Sequence, residues 1–410
     1  MLSKEQNELF TRVGPGTPMG NLLRQFWVPA ARSAKLEAGG APLRVRLFGE
    51  NFVAFRTPSG EAGFLEEACP HRGVSLALAR NEDCGLRCIF HGWKIGMEGK
   101  VLEVPSEPVG SNLASKVRVR KIPVRDSGGV VWVWLGDGEN PPQFPNFEFT
   151  ELPLENVVIR KGILHSNWAG VLEGFLDSAH VTALHRSFLP AGKDNTGAFP
   201  GMMGDLAPRY EFTEQPYGFT ANAARRWPDG TRVDRITEYV LPWYTYIPNN
   251  LPTRQTITVS VPLDDEWCTY WQFIWDQENP LNPDTIDIET GAGKNGPDPD
   301  DFYQPKYTAA EVWGQDRTKM GEGHFSGFNS IPLEDFAVQE SQGALVDRSK
   351  EHLGMSDVAV IRARRLLLEQ VQKFREGEAL RGQAAPVDFG AIHGVHEILP
   401  APAQPHEVNS

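Results

Sequence analysis

Long apolar runs are missing from this 410-residue chain. No stretch approaches the roughly 20 residues a helix needs to cross a bilayer. The start, Met1-Leu-Ser-Lys-Glu-Gln-Asn-Glu8, has neither the basic opening nor the apolar segment of a secretory signal. The expectation is a reducing, cytoplasmic location with no membrane partner. Positive charge is also in deficit: 40 Lys and Arg stand against 53 Asp and Glu, a formal charge of -13 with a pI near 5.3. That balance argues against nucleic acid or an anionic membrane as partner. No glycine-rich fingerprint for NAD or flavin is present. Cysteine is scarce, four in all, and Cys84 and Cys268 read as unpaired thiols.

The other two cysteines carry the clearest signal. Cys69-Pro-His71-Arg-Gly is followed by Cys88-Ile-Phe-His91-Gly-Trp, so each tight loop offers one soft thiolate and one imidazole. Two thiolates suit one iron of a 2Fe-2S cluster and two neutral imidazoles the other, and the imidazoles raise the reduction potential. Gly73 and Gly92 let the backbone come close enough for its amides to donate to the sulfurs. Zinc also takes two cysteines and two histidines, but zinc fingers pair like with like, whereas each pair here is mixed. The stretch resembles the Rieske iron-sulfur motif.

Around these loops, Leu43, Val45 and Leu47 alternate with Arg44 and Arg46, then a Gly49-Glu-Asn turn leads to Val53 and Phe55, which predicts a hairpin. Val130-Val-Trp-Val-Trp-Leu135 completes an antiparallel domain over residues 25–145, with Asn140-Pro-Pro-Gln-Phe-Pro145 as linker. Residues 1–24 and 146–398 are assigned to a larger domain, and 399–410 to a disordered tail. In the larger domain Ile257, Val259 and Val261 alternate with Thr258 and Ser260, and Trp271, Phe273 and Trp275 alternate again, predicting strands with one buried face. Ser356 is expected to cap a long helix striped by Val360, Ala363, Leu367, Val371 and Phe374. Gly291 to Asp301 reads as an exposed loop. The fold class is α+β: a small antiparallel β domain and a larger domain of helices and antiparallel sheet.

The second region also carries Glu173, Asp177, His180 and His185. On a helix the first three share a face at i, i+4 and i+7. His185, five residues beyond His180, points ~140° away, so the helix must loosen or end between the histidines if both hold one ion. Two histidines and a carboxylate make the facial triad of non-haem iron(II), with positions open for dioxygen. By itself the spacing fits a polar helix face equally well; its weight comes from sharing a chain with an electron-transfer cluster that needs an acceptor. Trp243, Tyr244 and Tyr246 read as cavity walls or as core.

Gly14-Pro-Gly-Thr-Pro-Met-Gly20 with Trp27, the two cysteine loops, Asn167-Trp168 with the Asp177, His180 and His185 spacing, and Leu333-Glu-Asp-Phe-Ala-Val-Gln-Glu-Ser-Gln342 followed by Asp347-Arg348 and Glu351-His-Leu-Gly354 form a larger pattern. Nearly end to end it resembles the oxygenase component of Rieske non-haem iron oxygenases, most of all the phthalate dioxygenase branch, which includes aryl O-demethylases. The resemblance implies a 2Fe-2S cluster on Cys69, His71, Cys88 and His91. It implies a mononuclear iron on His180, His185 and Asp335, with Glu334 a competing carboxylate. Asp177 would bridge His91 of a neighbouring subunit to His180 in a homotrimer, or in two trimers stacked as a hexamer. Arg209, Arg235 and Ser178 resemble substrate contacts, and guanidinium forks suit carboxylates. A separate reductase, with or without a ferredoxin domain, would supply electrons from NAD(P)H, with dioxygen as co-substrate. The implied reaction is ring dihydroxylation of a phthalate-like aromatic carboxylate; O-demethylation of a methoxylated aromatic acid would use the same iron. Gly174 departs from the asparagine that many members carry. An electron-transfer protein alone would need only residues 25–145, and a zinc-binding module would need no second ligand set.

Overall fold

A computed structural model of the chain describes every residue except 139, 193–198, 250, 290–302, 304, 385 and 402–410. The expected Gly291–Asp301 loop and most of the expected tail lie outside the described residues. The chain divides into two units, residues 12–151 with 261–265, and residues 1–11, 152–260 and 266–410.

In the first unit the period-two stretches form short antiparallel strands. Leu43–Leu47, Glu50–Arg56 and Ala62–Glu66 make one sheet; Arg80–Glu82, Gly85–Arg87, Lys94–Gly96 and Lys100–Glu103 a second; Trp27–Arg32, Val130–Trp134 and Val124–Ser127 a third. Two boundary expectations need correction. Residues 12–24 belong to this unit because the buried Arg24 guanidinium donates to Glu50 Oε2 at 2.8 Å and to the carbonyls of Val13 and Phe48. Asp265 accepts from the Val13 amide at 2.8 Å, and the Phe48 and Gly49 amides donate to the carbonyls of Pro262 and Leu263, which draws 261–265 into the same unit. The proline-rich 140–145 stretch is no free linker: Trp27 Nε1 donates to the Pro142 carbonyl at 2.9 Å, Phe144 stands edge-on to Trp27 and Trp132, and Phe147 and Phe149 continue the aromatic contacts, so the unit runs on to Glu151. Edge-to-face and offset contacts of this kind outweigh the few hydrogen bonds an extended proline segment can make.

The second unit is organised on one eight-stranded sheet. Its order is Val157–Leu164, Cys268–Asp276, Arg254–Pro262, Tyr244–Tyr246, Arg232–Val240, Gly218–Arg226 and Arg209–Gln215, with Val395–Leu399 also paired to Arg232–Val240. The Arg254–Pro262 and Cys268–Asp276 strands are buried on both faces, correcting the one-face expectation. Their polar rows, including Thr256, Thr258 and Gln272, face an internal cavity instead of solvent. The Trp168–Leu176 helix packs against this sheet and against the Ile331–Ser341 and Val358–Arg375 helices. The last of these starts after Asp357, not Ser356: Asp357 takes the Gly354 amide at 2.6 Å and leaves Ser356 in a preceding tight turn. A helix at Lys4–Thr11, hidden by its polar composition, places Phe10 5.8 Å from Trp168. No helix among the described residues is long and apolar enough to cross a membrane.

Candidate metal centres and cavity

The Cys69–Val74 and Cys88–Trp93 loops are built alike. In each, the cysteine amide donates to the carbonyl five residues on (2.8 and 2.9 Å), and the glycine amide donates back to the cysteine carbonyl (2.9 and 3.0 Å). Gly73 and Gly92 sit at φ 73° and 74°, a left-handed backbone that side chains resist. Both sulfurs sink into an apolar core with Val53, Leu65, Leu76, Leu86 and Ile95. The imidazoles remain half-buried, their ring centres 4.5 Å apart, and His71 stacks flat on Trp93 at 4.6 Å. Burial first, and Cys88 beside it, push the Cys69 thiol up, against the pull of the His71 and Arg72 amides that donate to its sulfur. His71 Nδ1 is buried without a protein partner. Because buried polar atoms are nearly always bonded, that orphan nitrogen beside two thiols fits a metal ligand.

The second motif does not form one helix. Trp168–Leu176 stops at Asp177 (φ -82°, ψ 103°), and a short helix, His180–Leu184, follows. Asp177 Oδ1 accepts the amides of Ala179 at 2.7 Å and His180 at 3.3 Å, so the aspartate caps the new helix and favours the break. Glu173, Asp177 and His180 therefore share no helical face, which corrects that expectation. Glu173 is held by Arg348 Nε at 2.9 Å and Arg364 Nε at 2.7 Å, and Arg364 also binds Glu351 at 2.9 Å. Burial pushes the Glu173 carboxyl up, but the two guanidinium groups prevail and hold it below its ordinary value. The Asp347-Arg348 and Glu351 stretch thus anchors the helix that leads to the histidines.

His185 ends the short helix, and its ring lies 5.0 Å from that of His180, at 85° to it. Asp335, on the Ile331–Ser341 helix, places Oδ1 3.5 Å from His180 Nε2 and 3.2 Å from His185 Nε2. One ligand atom from each of the three lies within 4.8 Å of the others, a group able to hold a metal ion. Glu334 turns the other way, wholly buried, with Oε2 2.6 Å from His185 Nδ1. Asp177 Oδ2 lies 3.5 Å from His180 Nδ1. Burial pulls the His185 imidazolium down, yet Asp335 and Glu334 outweigh it and hold it up to about 9. Against the same burial, the two histidines keep Asp335 below the usual carboxylate range. Anionic oxygen facing two ring nitrogens is a donor set for a divalent cation.

A cavity of about 340 Å³ opens beside this triangle, with Phe175, Phe199, Tyr270 and Phe336 among its walls. Trp243, Tyr244 and Tyr246 are buried in the core and do not line it. Arg235 does, 4% exposed, lying 4.5 Å over the Phe199 ring and donating to the Pro248 carbonyl at 3.4 Å. No carboxylate among the described residues pairs with it. Burial and the nearby Arg225 push its guanidinium down to about 9. Ser178 also lines the cavity, but Arg225 donates to its Oγ at 3.2 Å and its carbonyl at 2.6 Å, and its amide donates to Tyr210 Oη at 3.1 Å. Arg209 is corrected: it is exposed on the outermost strand and turns outward, while the next residue, Tyr210, turns in. At Gly174 an added Cβ would lie 2.6 Å from Gln339 Nε2, so Gln339 fills the space that a longer side chain would need. Arg225 and Tyr210 were not singled out as site residues from sequence, and Glu334 was named only as a rival ligand to Asp335, since only tertiary contacts bring them here.

Two mixed thiolate–imidazole loops on a small β unit, and a His-His-Asp triangle beside a cavity in a helix-and-sheet unit, define an oxygenase subunit that joins a Rieske cluster to a mononuclear non-haem iron. The chain belongs to that family: residues 26–122 match the Rieske [2Fe-2S] domain, and residues 133–397 match the LigXa C-terminal domain like family. It is 38% identical over 394 residues to the phthalate 4,5-dioxygenase oxygenase subunit of Pseudomonas putida, covering 93% of this chain and 89% of that subunit. It is 34% identical to the 3-chlorobenzoate-3,4-dioxygenase oxygenase subunit of Comamonas testosteroni, over 91% of this chain and 89% of that one. The 5,5'-dehydrodivanillate O-demethylase oxygenase subunit of a Sphingobium species is 30% identical, over 92% and 82%. Among solved structures, dicamba monooxygenase bound to dicamba shares the fold, with a TM-score of 0.62 at 17% identity over 87% of this chain and 99% of that one. The protein is thus the oxygenase subunit of a multicomponent system, with a 2Fe-2S Rieske cluster and mononuclear iron as cofactors and dioxygen as co-substrate.

Proposed function

We propose that this oxygenase acts on a carboxylated aromatic ring, inserting both atoms of dioxygen as in a phthalate-like dihydroxylation. The observation that carries the reading is Arg235, a buried guanidinium without an acidic partner among the described residues, facing the cavity that the histidines and Asp335 also face. A substrate carboxylate would complete it as a charge-assisted pair, orienting the ring toward the triangle. The names of the phthalate and chlorobenzoate relatives point the same way. O-demethylation of a methoxylated aromatic acid is the second reading, favoured by the dehydrodivanillate relative.

Cys69, Cys88, His71 and His91 would hold the cluster, and His180, His185 and Asp335 the iron. When bound, the cluster relays single electrons and the iron activates dioxygen. Asp177 orients His180 through Nδ1 and, being 27% exposed, offers its carboxylate to His91 of a neighbouring copy in a homotrimer or stacked hexamer. The apolar walls exclude water from the ring, and Ser178, held by Arg225, fixes the cavity edge beside Asp177. Electrons would arrive from NAD(P)H through a separate reductase in the same cytoplasmic compartment.

The test supplies purified protein and a reductase with phthalate, 3-chlorobenzoate, a methoxybenzoate and toluene, following dioxygen uptake and product mass with ¹⁸O₂. Two labelled oxygens in a carboxylated product support dihydroxylation, and formaldehyde release supports the second reading. Equal turnover of toluene and the acids would overturn carboxylate recognition.

A further inference from the structure

The turn behind His185 has no part in holding substrate or cluster, yet it carries a short, fully buried polar contact to the triangle. Glu334 is wholly buried, an expensive place for a carboxylate unless both oxygens are satisfied. One oxygen, Oε2, sits 2.6 Å from His185 Nδ1, and the other accepts from Ser326 Oγ. Ser326 Oγ in turn accepts the Phe328 amide at 3.2 Å, which leaves its hydrogen for Glu334. The Ser326 carbonyl takes Gln315 Nε2 at 2.8 Å, and the Gly327 amide donates to His324 Nδ1 at 3.0 Å. Gly327 lies at φ 81°, and a Cβ there would come within 2.6 Å of the Asp316 carbonyl oxygen, so only glycine closes this turn without displacement. The same turn reaches the chain just past His185: the Phe325 amide donates to Ser187 Oγ at 2.8 Å, and His324 stands edge-on to Phe188 at 5.4 Å.

We infer that Glu334, aimed by Ser326 in the His324–Phe328 turn, is a positioning residue that fixes the tautomer and direction of His185 so that its Nε2 is presented to the metal. The inference rests on the reading of His180, His185 and Asp335 as the iron ligands. With Nδ1 carrying the hydrogen toward Glu334, Nε2 keeps its lone pair for the ion, and the ring cannot rotate without stranding a buried carboxylate. Glu334 is thus neither a ligand nor a spare carboxylate beside Asp335. The turn is a clamp that sets iron retention from outside the coordination sphere.

The experiment measures Fe(II) affinity of iron-depleted, cluster-loaded protein by chelator competition, together with the electron paramagnetic spectrum of its Fe(II)-nitrosyl adduct. Cluster absorbance and melting temperature are recorded alongside. Glu334→Ala is expected to weaken affinity about 10- to 100-fold, the range for losing such an outer partner. Glu334→Gln, whose amide oxygen still accepts from Nδ1, should lose less, and Ser326→Ala less again, with an altered nitrosyl spectrum in all three and the cluster unchanged. Should Glu334→Ala fail to fold, the glutamine and Ser326→Ala variants decide alone. Wild-type affinity and spectrum in both would overturn the clamp. Asp335→Asn separates the two claims: if it loses iron while the Glu334 and Ser326 variants keep it, the clamp falls and the ligand reading stands. If Asp335→Asn keeps its iron, the ligand reading falls and takes the clamp with it.

Discussion

The two candidate metal sites are assembled on opposite plans. The cysteine loops are two versions of one backbone device, each closed by its own amides and its own left-handed glycine, with both sulfurs planted in one apolar core. The His-His-Asp triangle has no such local closure. Its histidines follow a helix break and its carboxylate comes from another helix, while the leading helix is pinned by Arg348 and Arg364 on Glu173. A site closed by its own loop should tolerate change elsewhere. One held by distant ion pairs should not.

The sharpest way to break the comparison is to remove one centre and count what is left. Cys88→Ser should lose acid-labile sulfide and the brown absorbance while keeping about one iron per chain. Asp335→Asn should keep the cluster spectrum, bleaching with dithionite, and lose that single iron. Both should lower turnover by about a thousandfold or more, the first by cutting the electron supply and the second by removing the oxygen-activating metal. Loss of both centres in either variant would show that the sites are not independently built.

Arg348→Ala tests the long-range dependence. It leaves Glu173 buried with Arg364 alone, and breaking such a pair costs about 3–5 kcal/mol. Chelator-accessible iron should then appear at a lower denaturant concentration than cluster bleaching, whereas simultaneous release would mean the network anchors the whole chain equally. Arg235→Met should have a narrower effect. Losing the partner of a desolvated carboxylate costs about 2–3 kcal/mol, or about 100-fold in KM for aromatic acids, with kcat and the KM of an uncharged ring little changed. A parallel rise in both KM values would assign Arg235 to cavity shape alone.

The same contrast explains what the sequence could show. The cysteine loops were legible because all four candidate ligands, with their glycines, lie in one short stretch whose spacing is itself the signal. His180 and His185 were legible by type, but the carboxylate could be narrowed only to Glu334 or Asp335. Adjacent residues on a helix point ~100° apart, and which one faces the rings is a tertiary fact. The helical face of Glu173, Asp177 and His180 satisfied the period and still misled, because an aspartate that caps the next two amides competes with helix continuation. Arg209 and Tyr210 show the same limit in a strand, where one residue of register decides which side chain turns inward. Thr258 read as part of a solvent face because polarity in sequence does not distinguish bulk water from a polar cavity.

The smallest effect concerns the support of Arg235. His396 lies opposite Arg235 in the strand pairing, and its Nε2 is 2.9 Å from the Pro200 carbonyl, the residue after Phe199, which stacks on the guanidinium. Burial first, then Arg235, with Arg225 adding to it, push this imidazole down to about 4. A neutral ring with Nε2–H donating to Pro200 is therefore the folded form through the neutral range. The unfolded chain takes up the proton near pH 6.5 and the folded one only near pH 4, so folding stability should fall as pH drops through that window and level off below it. His396→Gln, which can still donate to Pro200 but does not titrate, should flatten that limb of the stability–pH curve without raising the KM for aromatic acids at neutral pH. An unchanged acid limb would mean that His396 is already open to water and that the cavity cation needs no neutral neighbour. It would place the second unit's fragility in its ion pairs alone.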